Sequence, residues 1–246
     1  MIIPAFNEAA TIIEIAHRSL RQSGHVVIVD DGSTDGTAEL LTGLSLTVLR
    51  NPENCGKGAS LWRGFCYALS AGARGVITLD GDGQHAPEDI AQVAAAALRH
   101  PGSLVIGARS HRLRRARFAR YAANRLADFF IARVAGCPME DSQSGFRFYP
   151  AQLLQRLKIK HGKTRSFVFE SEVLIECARM GYPIITVPIE TRSPGGARHS
   201  HFQPLLDTAR IARMLVYRLL SHNFYRGVFL ARSKGRRSKQ RQHSKA

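Results

Sequence analysis

The sequence predicts an α/β fold, a single sandwich with helices on both faces of a mostly parallel sheet. The chain has 246 residues, of which 44% are hydrophobic, enough for one large domain. Short runs rich in valine and isoleucine, typical of buried strands, alternate along it with amphipathic stretches of helical period. Such alternation is typical of parallel strands that are connected by helices.

The expected elements follow one another in a regular order after a short first strand that begins at Met1. The further strands are 25–31 (HVVIVDD), 46–50 (LTVLR), 75–82 (GVITLDGD), 103–109 (SLVIGAR) and 183–190 (PIITVPIE). The expected helices are 11–21, 37–44, 59–71 and 87–99. The first of them opens with the capping-box pattern TIIE, in which Thr11 would cap the helix.

Polar segments follow three of the strands at their carboxyl ends, where parallel sheets bind ligands. They are 4–8 (PAFNE), 30–37 (DDGSTDGT) and 80–84 (DGDGQ), and we expect them to line one crevice. Asp30 and Asp31 can accept hydrogen bonds from a base or a ribose. A capped turn explains the serine, threonine and glycine residues that follow them.

The segment 54–60 (NCGKGAS) fails the spacing of two phosphate-binding loops. A Walker loop needs glycine at 51 and serine or threonine at 58, but Asn51 and Gly58 stand there. A dinucleotide-binding G-x-G-x-x-G pattern fails at Leu61. What remains is a turn that carries Lys57 ahead of a helix, which predicts an anion contact.

The segment 80–85 (DGDGQH) places two carboxylates one residue apart, an arrangement that a cation stabilises. An EF-hand is excluded because His85 and Ala91 occupy the positions that need glycine and glutamate. Asp80, Asp82 and the side-chain oxygen of Gln84 form a set of hard oxygen ligands. Such a set predicts Mg²⁺ or Mn²⁺, with open positions for water and substrate phosphates.

The net charge of +16 and the isoelectric point of about 10.6 indicate a polyanionic partner. Eight arginines lie between Arg109 and Arg133 against one acid, Asp128, and eleven lysines and arginines follow Asp207. No helix-turn-helix, zinc-finger or RNA-binding aromatic pattern is present, so nucleic acid is an unfavoured partner. The four cysteines have no zinc or disulfide spacing, which indicates reduced thiols.

Three regions are expected: a catalytic domain over 1–202, an amphipathic helical segment over 203–230 and a disordered basic tail over 231–246. The helix expected over 205–220 has an arginine-rich face opposite a leucine-rich face, which suits an anionic membrane surface or a cover for the core. No run of 18 apolar residues and no signal peptide are recognisable, so we expect a cytoplasmic protein at the membrane periphery.

Seven stretches together resemble the inverting family-two glycosyltransferases, and most closely the dolichyl-phosphate or polyprenyl-phosphate mannose and glucose synthases. They occur in the family's order over residues 1 to about 202: IIPAFNEAATI, VVIVDDGSTDGT, NPENCGKGAS, ITLDGDGQHAPEDI, VIGAR, DSQSGFRFY and FVFESEVLIECARMGYPIITVPIETR. The resemblance implies the GT-A fold, a nucleotide-binding Rossmann-like sandwich. Two departures are that the membrane helices of some relatives are missing and that His201 stands where the lipid-phosphate group has lysine.

The resemblance also implies roles for crevice residues, with Asp31 and the PAFNE turn on the nucleotide and Asp80, Asp82 and Gln84 on the metal. The full expected nucleotide-binding set is Pro4, Ala5, Asn7, Glu8, Asp31, Lys57, Asp80 and Gly81. The expected catalytic residues are Asp82, Asp141 and Arg109. The expected phosphate and acceptor contacts are Arg109, Arg120, Arg125, Arg147, Arg198 and Ser200.

The implied activity is metal-dependent, inverting transfer of a hexose from a donor of the GDP-mannose or UDP-glucose type to a lipid phosphate, with polyprenyl phosphate as the expected acceptor. A phosphate acceptor is already ionised and needs no base. The alternative is a hydroxyl acceptor on an aromatic or polyene lipid or a polysaccharide, for which Asp141, Glu170 and Glu172 are base candidates. With a phosphate acceptor, Asp141 would orient the site and Glu172 would be structural.

Overall fold

The computed structural model describes residues 1–109, 118–159, 161–162 and 168–190, with 118–124 and 126 described by their backbone only. Several expectations lie outside the described residues. They are the end of the catalytic domain from 191 to 202, the amphipathic segment 203–230, the basic tail 231–246, the side chain of Arg120, and Arg198, Ser200 and His201.

The sheet has seven strands in the order β3-β2-β1-β4-β6-β5-β7, and all neighbouring pairs except those of β6 are parallel. The strands are β1 Ile2–Ala5, β2 Val27–Asp30, β3 Thr47–Arg50, β4 Gly75–Thr78, β5 Leu104–Arg109, β6 Arg147–Pro150 and β7 Ile184–Ile189. The short first strand is confirmed, and so are the five strands expected from the valine and isoleucine runs, each of which is one to four residues shorter than expected.

The helices cover both faces of the sheet, as the sequence predicts. They are α1 Ile12–Leu20, α2 Lys57–Ser70, α3 Ile90–Arg99, α4 Phe118–Ala135, α5 Ala151–Arg156 and α6 Phe169–Arg179. Because side chains alternate along a strand, Ile2 packs with α2, α4 and α6 on one face while Ile3 packs with α1 and α3 on the other. Among the described residues, no helix combines the length and the apolar composition that crossing a bilayer requires.

Strand β6 was not expected, because a four-residue run that contains a buried arginine lacks the valine and isoleucine pattern of the other strands. It lies antiparallel between β4 and β5, with Arg147 opposite Thr78 at the carboxyl end of β4. Its direction therefore places the preceding segment, 141–146, at the same edge of the sheet as the three polar loops. The Thr78 hydroxyl fixes this arrangement by donating to the Gly145 carbonyl at 2.7 Å.

Two local expectations were wrong. The helix expected over 37–44 is only a 3₁₀ turn at Glu39–Leu41. The capping box at the start of α1 does not form: Thr11 makes no side-chain cap, and its hydroxyl donates instead to the Gly81 carbonyl at 2.7 Å. A contact across 70 residues takes precedence over the local cap because the turn that follows β4 passes directly over this end of α1.

Candidate active site

The loops after β1 and β2 are joined by hydrogen bonds between backbone and side chains. The Asn7 N–H donates to Ser33 Oγ at 2.9 Å, and the Thr34 N–H donates to Asn7 Oδ1 at 2.9 Å. The Glu8 N–H donates to Thr37 Oγ1 at 2.9 Å. Asn7 adopts φ +56°, a region that asparagine tolerates better than most residues. The hydroxyls of the second loop therefore position the first loop as well as shaping their own turn.

Asp31 organises the loop that leads into α2. Its Oδ1 accepts from Asn51 Nδ2 at 2.7 Å and from the Cys55 N–H at 3.0 Å, and its Oδ2 accepts from the Gly56 N–H at 2.8 Å. Gly56 has φ +91°, and Lys57 follows it as the first residue of the helix. Asp31 thus positions Lys57 through the backbone, while direct recognition of a nucleotide by Asp31 stays a prediction.

The turn of Asp80, Gly81 and Asp82 packs against the end of β1. A Cβ atom added to Gly81 would lie 3.2 Å from the Pro4 carbonyl oxygen, so the two backbones approach closely here. The hydrogen bond from Thr11 to the Gly81 carbonyl holds the same turn from the side of α1. The three polar segments therefore meet at one edge of the sheet, as the sequence predicts.

The Asp80 carboxylate contacts Lys57 and lies close to His85 and Gly145. Lys57 Nζ is 2.7 Å from Asp80 Oδ1 and 3.1 Å from Glu170 Oε2. His85 Nε2 is 4.0 Å from Asp80 Oδ2. A Cβ atom on Gly145 would collide with the Asp80 carboxylate oxygens, so the absence of a side chain at 145 leaves room for this carboxylate.

Burial and mutual repulsion separate the pKa values of three neighbouring carboxylates. Burial, followed by the charge of Asp82, raises the pKa of Glu8 to about 7. Burial, followed by the charge of Asp80, raises the pKa of Asp82 to about 6. Burial is the largest effect on Asp80 and opposes its ionisation, but the nearby positive charges, first that of Lys57, and the Lys57 hydrogen bond together lower its pKa. Because Lys57 supplies a single charge, the cluster favours an additional cation at neutral pH.

The side chains at this turn suit the expected divalent ion. Asp80 and Asp82 offer carboxylate oxygens, the ligands that Mg²⁺ and Mn²⁺ prefer, and the Lys57 ammonium already stands in for a cation on Asp80. Gln84 donates its backbone N–H to Asp82 Oδ1 at 3.0 Å and its Nε2 to Oδ2 at 2.7 Å, so its amide nitrogen faces Asp82. Within the described residues, no group of three or more histidines, cysteines or acids is arranged to hold a metal.

Arg109 and Asp141 form a three-point ion pair at the end of β5. Asp141 Oδ2 accepts from the Arg109 backbone N–H at 2.9 Å and from Arg109 Nε at 2.8 Å, while Oδ1 accepts from Arg109 Nη2 at 2.7 Å. Asp141 has φ +53°, and its side chain is almost fully buried. Both carboxylate oxygens are thus engaged by one guanidinium, which supports an orienting role for Asp141 over that of a general base.

Arg147 is fully buried and does not reach the crevice. Its nitrogens donate to the backbone carbonyls of Ser144 at 2.7 Å, Ser142 at 2.7 Å and Glu170 at 2.8 Å. This geometry corrects the expectation of a phosphate contact, because the guanidinium is used to hold the 141–146 segment and the start of α6. Arg125, by contrast, is exposed on α4.

A family model described as Glycosyl transferase family 2 matches residues 1–158. The chain belongs to glycosyl transferase family 2. It is similar to polyprenol monophosphomannose synthase of Mycolicibacterium smegmatis, with 27% identity over 201 residues that cover 77% of this chain and 75% of the relative. It is also similar to UDP-N-acetylglucosamine–dolichyl-phosphate N-acetylglucosaminyltransferase of Methanococcus voltae, with 27% identity over 212 residues, 78% of this chain and 84% of the relative.

Among solved structures, the glycosyltransferase is similar to glucosyl-3-phosphoglycerate synthase from Mycobacterium tuberculosis in complex with Mn²⁺, UDP and glucosyl-3-phosphoglycerate. The TM-score is 0.67 at 22% identity, over 89% of this chain and 77% of that protein. The likeness confirms the GT-A fold that the sequence motifs imply.

Three residues that line the candidate site of this glycosyltransferase were not expected there from the sequence. Thr11 carried only the signal of a helix cap, and Gly145 carried no signal. His85 directly follows the expected metal ligands Asp80, Asp82 and Gln84, but its residue type only argued against an EF-hand. It is buried beside Asp80, its ring lies edge-on to that of Phe146, and burial lowers its pKa to about 4.

Proposed function

We propose that this glycosyltransferase moves a hexose, with inversion, from a nucleotide-diphosphate sugar to a polyprenyl phosphate. The observation that carries the proposal is the turn of Asp80, Gly81 and Asp82 at the sheet edge, which Thr11 holds in place and in which Asp80 contacts Lys57 at the start of a helix. The names of two relatives, one a polyprenol-phosphate and one a dolichyl-phosphate transferase, support the acceptor class.

The residues of the crevice divide the work of binding the donor. The turn of residues 4–8 and the loop of 30–37 form the wall for the base and ribose, and either a GDP-mannose or a UDP-glucose type of donor is compatible with them. Mg²⁺ or Mn²⁺, held by Asp80 and Asp82 with Gln84 adjacent, would neutralise the charge that develops on the departing diphosphate. Lys57 would add a charge-assisted contact to the same phosphates.

Transfer forms one bond and breaks one bond at the anomeric carbon. An oxygen of the acceptor phosphate attacks from the face opposite the diphosphate, the bond from carbon to diphosphate breaks, and the nucleoside diphosphate leaves with the electron pair. The acceptor is already an anion, so no proton has to be removed. Arg109, fixed by Asp141 and partly exposed beside the two metal-site carboxylates, is placed to attract the incoming phosphate.

An aromatic pair on α4 supports access to a membrane-embedded acceptor. Phe129 and Phe130 are 63% and 43% exposed, with their rings edge-on at a centroid distance of 5.5 Å. Arg125 and Arg133, four residues to either side of Phe129, are also exposed and lie on the same face of the helix. Exposed aromatics between cations suit the boundary of an anionic bilayer, where rings enter the acyl region and arginines remain at the headgroups. We therefore propose peripheral association with the cytoplasmic face of a membrane.

The test is transfer of label to a defined lipid. Purified protein is incubated with radiolabelled GDP-mannose or UDP-glucose, polyprenyl phosphate in mixed micelles, and Mn²⁺ or Mg²⁺. We expect label in the organic phase that requires the metal and is lost in Asp82→Asn, whereas the exposed control Glu140→Gln retains activity. Label that passes only to hydroxyl acceptors, or metal-independent transfer, would contradict the proposal.

A further inference from the structure

Lys57 makes contacts that conflict with metal binding at Asp80. Its ammonium lies 2.7 Å from Asp80 Oδ1 and 3.1 Å from Glu170 Oε2, so it bridges two carboxylates. The side chains of Lys57 and Asp80 are only 26% and 23% exposed, so water screens this ion pair weakly. The lysine ammonium is thus paired with Asp80, one of the two carboxylates that would hold the divalent ion.

The backbone at this lysine is fixed, while its side chain has somewhere to go. Asp31 accepts the N–H groups of Cys55 and Gly56, which anchors the loop up to the first residue of α2. A helix N-terminus attracts anions, so a diphosphate bound there gives the ammonium a new partner without movement of the backbone. A metal ion that arrives without a diphosphate offers the lysine no such partner.

We propose that Lys57 acts as a placeholder cation that weakens metal binding in the empty site and is transferred to the diphosphate when metal and nucleotide arrive together. Part of the coupling between metal and nucleotide then originates in this one side chain. The inference rests on the metal dependence of the proposed function and adds an order to it: the free enzyme resists the bare ion and accepts the ion with its nucleotide. In the free enzyme, Glu170 is the second carboxylate that contacts the Lys57 ammonium and helps to hold it beside Asp80.

The other charged groups around Asp80 do not serve the same purpose. Arg109 is engaged by both oxygens of Asp141, and His85 Nε2 lies 4.0 Å from Asp80 Oδ2, beyond hydrogen-bonding distance. Glu8 and Asp82 are acids, so neither can supply a positive charge to Asp80. Among the described residues near Asp80, Lys57 is the one that brings a full positive charge within hydrogen-bonding distance of its carboxylate.

The test measures Mn²⁺ binding, by electron paramagnetic resonance of the free ion, in the full-length protein with and without UDP or GDP. Lys57→Met removes the charge and keeps the length of the side chain, and we expect it to bind Mn²⁺ alone about tenfold more tightly than the wild type. Addition of the nucleotide should then raise Mn²⁺ affinity about tenfold less than in the wild type. By reciprocity, Mn²⁺ should also raise nucleotide affinity less in this variant.

Matched variants separate charge from other effects. Lys158→Met removes an exposed lysine outside the site and should leave both affinities unchanged. Lys57→Arg keeps the charge and should retain weak binding of Mn²⁺ alone, while Lys57→Gln is a second neutral replacement that should agree with Lys57→Met. Equal or weaker binding of Mn²⁺ alone in both neutral variants, with the wild type binding Mn²⁺ normally, overturns the inference and leaves the proposed function standing. Absence of Mn²⁺ binding in the wild type, even with nucleotide, overturns both.

Discussion

Replacing Thr11 by valine removes one hydroxyl and preserves the shape of the side chain. The lost hydrogen bond runs from Thr11 Oγ1 to the Gly81 carbonyl at 2.7 Å and joins the start of α1 to the turn of Asp80, Gly81 and Asp82. A hydrogen bond of this kind contributes about 1 kcal/mol to the free energy of unfolding. For a domain of this size we expect the melting temperature to fall by about 2–4 °C.

The same loss should appear in ligand binding, because the hydrogen bond holds the turn that carries Asp80 and Asp82. If all of that energy serves to keep the turn in its binding conformation, the Kd of the Mn²⁺–nucleotide complex rises by up to about fivefold. Urea denaturation gives the stability, and calorimetric titration with Mn²⁺ and UDP or GDP gives the affinity. Thr11→Ser should restore both quantities.

The control is Thr42→Val, which alters an exposed threonine outside the crevice and should change stability by less than about 0.5 kcal/mol. A Thr11→Val protein that loses stability but keeps wild-type affinity would show that the hydroxyl supports the fold and not the site. Unchanged stability would refute the hydrogen bond as a stabilising contact.

Three further outcomes are expected. Burial and the charge of Asp80 raise the pKa of Asp82 to about 6, so Mn²⁺ affinity should fall by about tenfold per pH unit below that value. Calorimetric titrations of Asp82→Asn with Mn²⁺ should not show this decrease in affinity at low pH. Replacing Phe129 and Phe130 by serine should reduce the amount of protein that sediments with phosphatidylglycerol vesicles. Replacing Leu98, which is 79% exposed on α3, should leave that amount unchanged. Equal losses in both variants would contradict membrane contact through α4. Arg147→Met should cost at least about 3 kcal/mol in urea denaturation, because three buried carbonyls lose their donor, and a near-neutral result would contradict that role.

The acidic residues of the site were predictable because their positions depend on strand ends. The pair Asp30 and Asp31 and, later, Asp80 follow apolar runs, and parallel strands bring their carboxyl ends to one edge of a sheet. To apply this rule about strand ends, only the hydrophobic periodicity and the order of the strands and helices were needed. It correctly placed the loops after β1, β2 and β4 together, and the motif order correctly implied the family.

The partners of those acids were not predictable from the sequence in the same way. Thr11 carries the local signal of a helix cap, yet its hydroxyl serves the turn of a strand that lies 70 residues away. Arg147 stands in a motif that suggested a phosphate contact, yet its burial turns it into a support for backbone carbonyls. In each case a long-range contact determined the role of a side chain whose local pattern pointed elsewhere.

The amino-acid sequence by itself determined the class of fold, the family and the edge of the sheet at which the candidate site lies, because periodicity and motif order are local properties. Only the tertiary structure decided which cation faces Asp80, which residue engages Asp141 and why position 145 has no side chain. The antiparallel insertion of β6 is the physical reason, since it carries the segment 141–146 beside the loop after β4 and creates contacts between residues far apart in the chain.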